Sequence, residues 1–216
     1  MILLTEDSLP PKPTSLGLLL TVALDGTHNR VRRTLLVPAT AHLGWLHAVL
    51  QVAMGWTNSH LHQFTFKGKT FSDPSFELYD PLTLDESKGR LNTLLVRPGD
   101  LLRYQYDFGD SWEHTVLLTS TSAIDHPTMA RCIDGAGACP PEDCGGILGF
   151  NNLLEAIKKP TSKAAQQFKD SLGYTYDPNA FSLEAADLAL STLPWPSVSE
   201  KQLAKVIATG SKRTSK

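Results

Sequence analysis

Two apolar runs joined by a turn, and followed at once by a capped amphipathic stretch, constrain this chain most. Leu16–Asp25 and Arg30–Val37 read as strands, because both are rich in leucine and valine and Gly26-Thr-His-Asn29 between them is made of turn residues. Pro38 ends the second strand, since it cannot donate to a ladder. Thr40 is the expected cap of a helix from about Ala41 to Met54, with Gly55 as its terminator. Leu43, Leu46, Leu50 and Met54, flanked by Val49 and Ala53, recur at the helical period. A hairpin that feeds a helix lays it on one face of a sheet. The predicted class is therefore α+β: a β-grasp-like (ubiquitin-like) mixed sheet with helices on one side and a helical C-terminal part. The β-grasp likeness is one of element order.

Further along, His60–Lys67 alternates as a strand does, with a turn at Lys67-Gly-Lys69. Residues 73–100 carry Pro74, Pro81 and Pro98 and read as irregular. Leu101–Phe108 and Trp112–Ser120 form a predicted hairpin, and Asp125–Gly149 a loop. Asn152–Lys159, Lys163–Leu172 and Leu183–Leu190 read as short helices, and Ser199 with Gln202 signals one more. The domain plan is an extended lead-in at 1–14, a single α+β domain at 15–193 and a partly disordered C-terminal extension at 194–216. The domain divides into a β-rich part (15–120), a cysteine loop (125–149) and a helical part (150–193).

Composition excludes several function classes. With 41% hydrophobic residues in 216, the chain can bury a real core. A net charge of -2 gives no overall electrostatic case for nucleic acid, which Arg30, Arg32 and the Lys212, Arg213, Lys216 tail support only weakly. Three cysteines are an odd set for a secreted disulfide framework. The N-terminus lacks the basic region of a signal peptide, and the apolar run Leu16–Leu24 is too short to span a bilayer. The expected setting is cytoplasmic, with no membrane and a possible protein partner.

The chemistry concentrates in Asp107-Phe-Gly-Asp110-Ser-Trp112-Glu-His114, Cys132, and Cys139-Pro-Pro-Glu142-Asp143-Cys144-Gly-Gly. Strand alternation places His60 and His62 on one face with Phe64 and Phe66, and His114 with Trp112, Val116 and Leu118. With Gly109-Asp110 as a two-residue turn, Asp107 lies opposite Trp112 and Gln105 opposite His114. Asp107 and His114 then become diagonal neighbours, an inference that a one-residue slip reverses. His47 falls inside the helical stripe, and Arg33 shares a face with Val31, Leu35 and Val37. Arg33 and His47 are read as a structural polar core, with a buried ion pair expected for Arg33. Unpaired burial of such groups would cost several kcal/mol.

Two metal-ligand sets follow, for zinc or another divalent ion. One is His60, His62, Asp107 and His114. The other is Cys132, Cys139, Cys144 and Asp143, whose spacing is looser than that of paired zinc knuckles. The competing readings of the cysteines are three ordinary thiols, or one local disulfide with one thiol left over. Asp110 and Glu142 are the candidate catalytic bases of a hydrolase. No nucleophile elbow, phosphate-binding loop or zincin helix is present, and no nucleotide cofactor is evident.

At these residues the chain resembles the plasmid pRiA4b ORF-3-like family. The matching stretches are Arg32-Arg33-Thr-Leu-Leu-Val-Pro38, Leu46-His47-Ala-Val-Leu-Gln-Val-Ala-Met-Gly-Trp56, His60-Leu-His62-Gln-Phe64, Tyr106-Asp-Phe-Gly-Asp-Ser-Trp-Glu-His114, Cys132, Cys139-Pro-Pro-Glu-Asp-Cys-Gly-Gly146 and Tyr176-Asp-Pro-Asn-Ala-Phe181. The chain departs from that pattern at Val31, where the family usually has an aromatic residue, and after Leu193. The resemblance implies an α+β, β-grasp-like fold and similarity to proteins carried by plasmids and transposons. It implies no settled activity, and the chain shows no recombinase signature. The functional expectation is a metal-binding or protein-interaction module of plasmid, transposon or phage-defence biology. The rival is a metal-dependent hydrolase acting on phosphodiesters, such as a nuclease, through the His/Asp cluster.

Overall fold

The structure is a computed structural model, and it describes residues 15–28, 30–76 and 81–195. Its strands are β1 (Ser15–Leu24), β2 (Arg32–Pro38), β3 (His62–Phe66), β4 (Lys69–Ser72), β5 (Leu84–Asp85), β6 (Leu101–Tyr106), β7 (Trp112–Ile124) and β8 (Arg131–Ala136). Its helices are α1 (Leu43–Met54), α2 (Leu91–Leu94), α3 (Gly146–Ile157), α4 (Lys163–Leu172) and α5 (Leu183–Ser191). The strands form one sheet of eight in the order β5-β4-β3-β6-β7-β1-β2-β8. The predicted lead-in at 1–14, the extension from 196 onward and the helix expected near Ser199 lie outside the described residues.

The α+β class is borne out, and the sheet is mixed. The β-grasp detail is not what the pairing shows. A β-grasp has a parallel pair at its centre, whereas β1 runs antiparallel to both β2 and β7. The one parallel pair among the described strands is β4–β5, at the edge.

Alternation decides which face is covered. Leu18, Leu20, Val22 and Leu24 of β1 are buried, as are Leu35, Phe64, Leu102, Tyr104, Val116 and Leu118 on the other strands. Intervening residues such as Leu19, Thr21, Gln63 and Arg103 are only half-buried. One face is thus sealed and the other partly solvated, the usual state of an antiparallel sheet. Helix α1 supplies much of the cover, with Leu43, Trp45, Leu46, Val49 and Leu50 all buried, and α5 packs against α1 and β8. Each such side chain contributes about 1.5–3 kcal/mol by leaving water.

Local predictions failed where a turn or cap was misassigned. The N-cap of α1 is His42 and not Thr40: its ring Nδ1 accepts the Trp45 backbone N–H at 3.2 Å. Gly55 does end α1, in the left-handed region at φ 90°. The β6–β7 hairpin pairs Tyr106 with Trp112 and Tyr104 with His114. Its loop is the five residues 107–111 where a two-residue turn is expected, and the expected Gln105–His114 pairing is off by one residue. Asp107 causes the slip. It sits at φ 57°, and its Oδ1 accepts the N–H groups of Gly109 (2.9 Å) and Asp110 (3.2 Å). That local turn takes Asp107 out of the ladder. The predicted cysteine loop contains β8 and the first turn of α3, which starts at Gly146 and not near Asn152.

Candidate functional site

His60 and the Asp107 turn come together with the cysteine loop at the end of β3 and β6. His60 Nε2 lies 3.0 Å from Asp143 Oδ1, 3.5 Å from Asp107 Oδ2 and 3.9 Å from Glu142 Oε2. One ligand-type atom each from His60, Asp107 and Asp143 falls within 4.8 Å of the others, the one such grouping among the described residues. Although the Asp143 contact is short enough for a hydrogen bond, the buried Nε2 atom makes none. Several oxygens crowd one ring nitrogen without bonding to it, as around a cation-binding point.

The surroundings hold these groups in place. Asp107 commits Oδ1 to its own turn, which leaves Oδ2 facing His60. Glu142 Oε1 accepts from the Thr57 N–H (2.9 Å), the Thr57 hydroxyl (3.0 Å) and the Tyr106 hydroxyl (3.1 Å). Burial and the neighbouring Glu142 charge push the Tyr106 hydroxyl well above its ordinary range, so it stays a donor. Glu142 thus ties the cysteine loop to residues 57–59. Asp110, the other candidate base, accepts the Gly145 N–H at 3.1 Å and braces the start of α3.

Beside this cluster lies a cleft of about 580 Å³, walled by α1, residues 58–62, 73–76 and 85–87. Its floor holds two imidazoles, His47 and His62, stacked 3.4 Å apart and 3° from parallel. Asn58 Oδ1 can only accept, so His47 Nε2 donates to it at 2.8 Å and His47 Nδ1 accepts the Tyr104 hydroxyl, also at 2.8 Å. Gln51 Nε2 donates to the same hydroxyl and its Oε1 accepts the Asn58 N–H. Burial, reinforced by His62, holds His47 well below the ordinary imidazole range.

His62 Nε2 meets Glu86 Oε2 at 2.8 Å. Burial acts on both partners against charge, pushing Glu86 up to about 8 and His62 down to about 4. At neutral pH the proton therefore rests on the carboxyl, and the Glu86 O–H donates to Nε2. His62 carries its own proton on Nδ1, which is buried without a partner. Gly44 makes room for the acid: a Cβ there would stand 2.6 Å from Glu86 Oε1.

The predicted sets are thus redistributed. His60 and Asp107 of the first set meet Asp143 of the second. His62 pairs with Glu86 instead. His114 is fully buried, held down to about 4 by burial, with Nδ1 donating to the carbonyls of Trp112 (3.0 Å) and Tyr104 (3.3 Å). Cys132, Cys139 and Cys144 are all free thiols and do not gather with Asp143 as a ligand set, so neither the cysteine metal site nor a local disulfide is seen. Burial pushes Cys132 up to about 11, Cys144 up to about 12 and Cys139 higher still, which favours the neutral thiol at each.

His47 and Arg33 are polar core residues, as expected. The ion pair expected for Arg33 is absent among the described residues. Its Nε donates to the Ala53 carbonyl at 2.8 Å, its Nη1 to the carbonyls of Arg32, Ala136 and Gly137, and its guanidinium lies 3.9 Å over the Phe181 ring. Arg33 thereby caps the C-terminal end of α1 and ties it to the end of β8. Glu86, Tyr104, Gln51 and Asn58 were missed by the sequence reading. Glu86 lies in a stretch without periodicity, so only contact with His62 reveals it.

Among the described residues no helix is long and apolar enough to cross a membrane. The sequence profile described as plasmid pRiA4b ORF-3-like protein matches residues 17–185. An uncharacterized protein, y4hQ, of Sinorhizobium fredii (strain NBRC 101917 / NGR234) is 33% identical over 175 residues, covering 81% of this chain and 90% of its own. The crystal structure of a protein of unknown function from Methanosarcina mazei Go1 superposes with a TM-score of 0.69 at 25% identity. That match covers 80% of this chain and 98% of the archaeal one. The chain belongs to the plasmid pRiA4b ORF-3-like family.

Proposed function

We propose that the protein binds a divalent cation through His60, Asp107 and Asp143. The convergence of their ligand atoms within 4.8 Å, around a ring nitrogen that forms no hydrogen bond, carries this reading. One imidazole and two carboxylates suit zinc, iron(II) or manganese better than a thiolate-selective ion. Glu142 supports the centre from the next layer, with Oε2 turned toward His60 and Oε1 saturated by donors.

The test is elemental analysis of protein purified without chelator, with Asp107→Asn and His60→Ala alongside. Asparagine keeps the oxygen that builds the 107–111 turn and removes the charge. About one ion per chain, lost in both variants with the circular dichroism unchanged, is expected. Metal retained in both variants, or lost instead with Cys139→Ser, overturns the assignment.

A second reading, hydrolysis, is favoured by one observation: three protein ligands leave coordination positions open, and His60 also lines the cleft. A bound ion would supply an activated water there. Glu142 is better placed as a base than Asp110, whose carboxylate is tied to Gly145. Hydrolysis of bis-p-nitrophenyl phosphate with added manganese, abolished by Asp107→Asn, is the expected result; activity equal in wild type and Asp107→Asn contradicts it.

A further inference from the structure

We infer that the groove between the β3–β4 hairpin and residues 84–94, at the β5 edge of the sheet, binds a small amphipathic anion, an apolar chain ending in one carboxylate. This site is separate from the metal centre and does not depend on it. Of its lining residues only Asp85 also lines the cleft beside that centre.

The apolar part of the ligand follows from the groove's walls. Phe66 and Phe71 lie on the inner face of the sheet with Phe64, the register partner of Phe71, and both are buried. Leu84, paired with Phe71 on the other side, and Leu94 line the groove with them. Leu84 nevertheless stays 43% exposed on the strand at the sheet edge. Hydrocarbon laid against this wall removes apolar surface from water on both partners. At about 490 Å³ the groove has the size of a small-molecule site.

The charged part follows from the lysines. Lys67, Lys69 and Lys88 line the groove against a single carboxylate, Asp85. Lys67 and Gly68 form the two-residue turn of the hairpin, at φ 47° and 77°, which fixes the backbone that carries Lys67 and Lys69. The Lys67 ammonium lies 4.8 Å from the centre of the Phe66 ring, so it is held against the apolar wall. Its pair with Asp100 and the pair of Lys88 with Asp85 are both 3.8 Å long with exposed lysines, the weak kind that yields to a better-placed anion. Lys69 is in no ion pair among the described residues. Asp85 has Oδ1 on the Ser87 N–H at 2.8 Å and Oδ2 toward Lys88, so its charge is already spoken for. The excess of positive charge beside an apolar wall selects an anionic amphiphile and repels an amine.

The test uses the full chain after chelation, so that its outcome is independent of the metal proposal. Octanoate, octanol and octylammonium share a chain and differ in charge, and acetate keeps the charge without the chain. In amide NMR titrations below micelle-forming concentrations, octanoate is expected to shift Lys69, Leu84, Lys88 and Gly89. It should bind roughly tenfold tighter than octanol or octylammonium, with acetate weaker still. Lys69 and Lys88 are exposed, so Lys69→Gln and Lys88→Gln fold, and each is expected to weaken octanoate about fivefold. Arg32→Gln, on β2 toward the opposite end of the sheet, should leave the affinity unchanged. Octanoate binding no tighter than octylammonium or acetate, shifts confined to other residues, no octanoate binding at millimolar concentration, an equal loss in Arg32→Gln, or unchanged affinity in both lysine variants overturns the inference.

Discussion

Replacing Glu86 by glutamine isolates the energetics of the buried acid. Glu86 sits at about 8 in the folded chain against an ordinary 4.5, because burial penalises its charge. A raised acid contributes stability that is fully present below pH 4.5 and is lost as pH rises through 8. His62 is the opposite case. Its folded value of about 4 lies below its ordinary 6.5, so its neutral form contributes stability that is present above pH 6.5 and lost as pH falls toward 4. The two slopes oppose one another between about pH 4.5 and 6.5. From pH 6.5 to 8 only Glu86 acts, and about 1.5 pH units at 1.36 kcal/mol each give a loss of about 2 kcal/mol. For a chain of this length that is a fall of about 4–8 °C in Tm. Glutamine keeps a donor toward His62 and cannot ionise. The assay is urea unfolding of wild type and Glu86→Gln at pH 6.5, 7.2 and 8.0. The wild-type curve should fall by about 2 kcal/mol relative to the variant. Parallel curves would refute the neutral pair, and with it the proton placement on His62 Nδ1.

Three further outcomes follow from single contacts. Gly44→Ala should gain about 1 kcal/mol of helix propensity but show a net loss in unfolding experiments, because its Cβ would press on Glu86 Oε1 at 2.6 Å. Arg33→Met should cost about 3 kcal/mol by urea unfolding, since it strips the Ala53, Ala136 and Gly137 carbonyls of their donor in a buried place. Gly137→Ala should destabilise by several kcal/mol in thermal melts, because φ is 75° and a Cβ would stand 2.2 Å from the Arg30 carbonyl oxygen.

The sequence made the sheet's inner face legible because its alternation is regular. His62, Phe64 and Phe66 share one face as predicted, and His114 joins Val116 and Leu118 in the core. His47 and Arg33 were legible as buried polar groups for the same reason, from their places within apolar stripes. The site itself was only half legible. Its residues come from three places, and the two separate sets, one drawn from strand faces and one from the cysteine segment, cut across the spatial grouping of His60, Asp107 and Asp143. The Asp107 turn is a short-range hydrogen-bonding choice that strand alternation cannot foresee, and it shifted the hairpin register by one. β8 was hidden because Arg131–Ala136 has no alternating pattern and pairs only through β2. Glu86 was hidden because residues 73–100 are short turns held by tertiary contacts.

The central claim is the position of the ion, and anomalous diffraction tests it most directly. Crystals grown with zinc and recorded on both sides of its absorption edge should give a peak about 2.0–2.2 Å from His60 Nε2 and from carboxylate oxygens of Asp107 and Asp143. A peak at Cys132, Cys139 or Cys144, or none at His60, would contradict it.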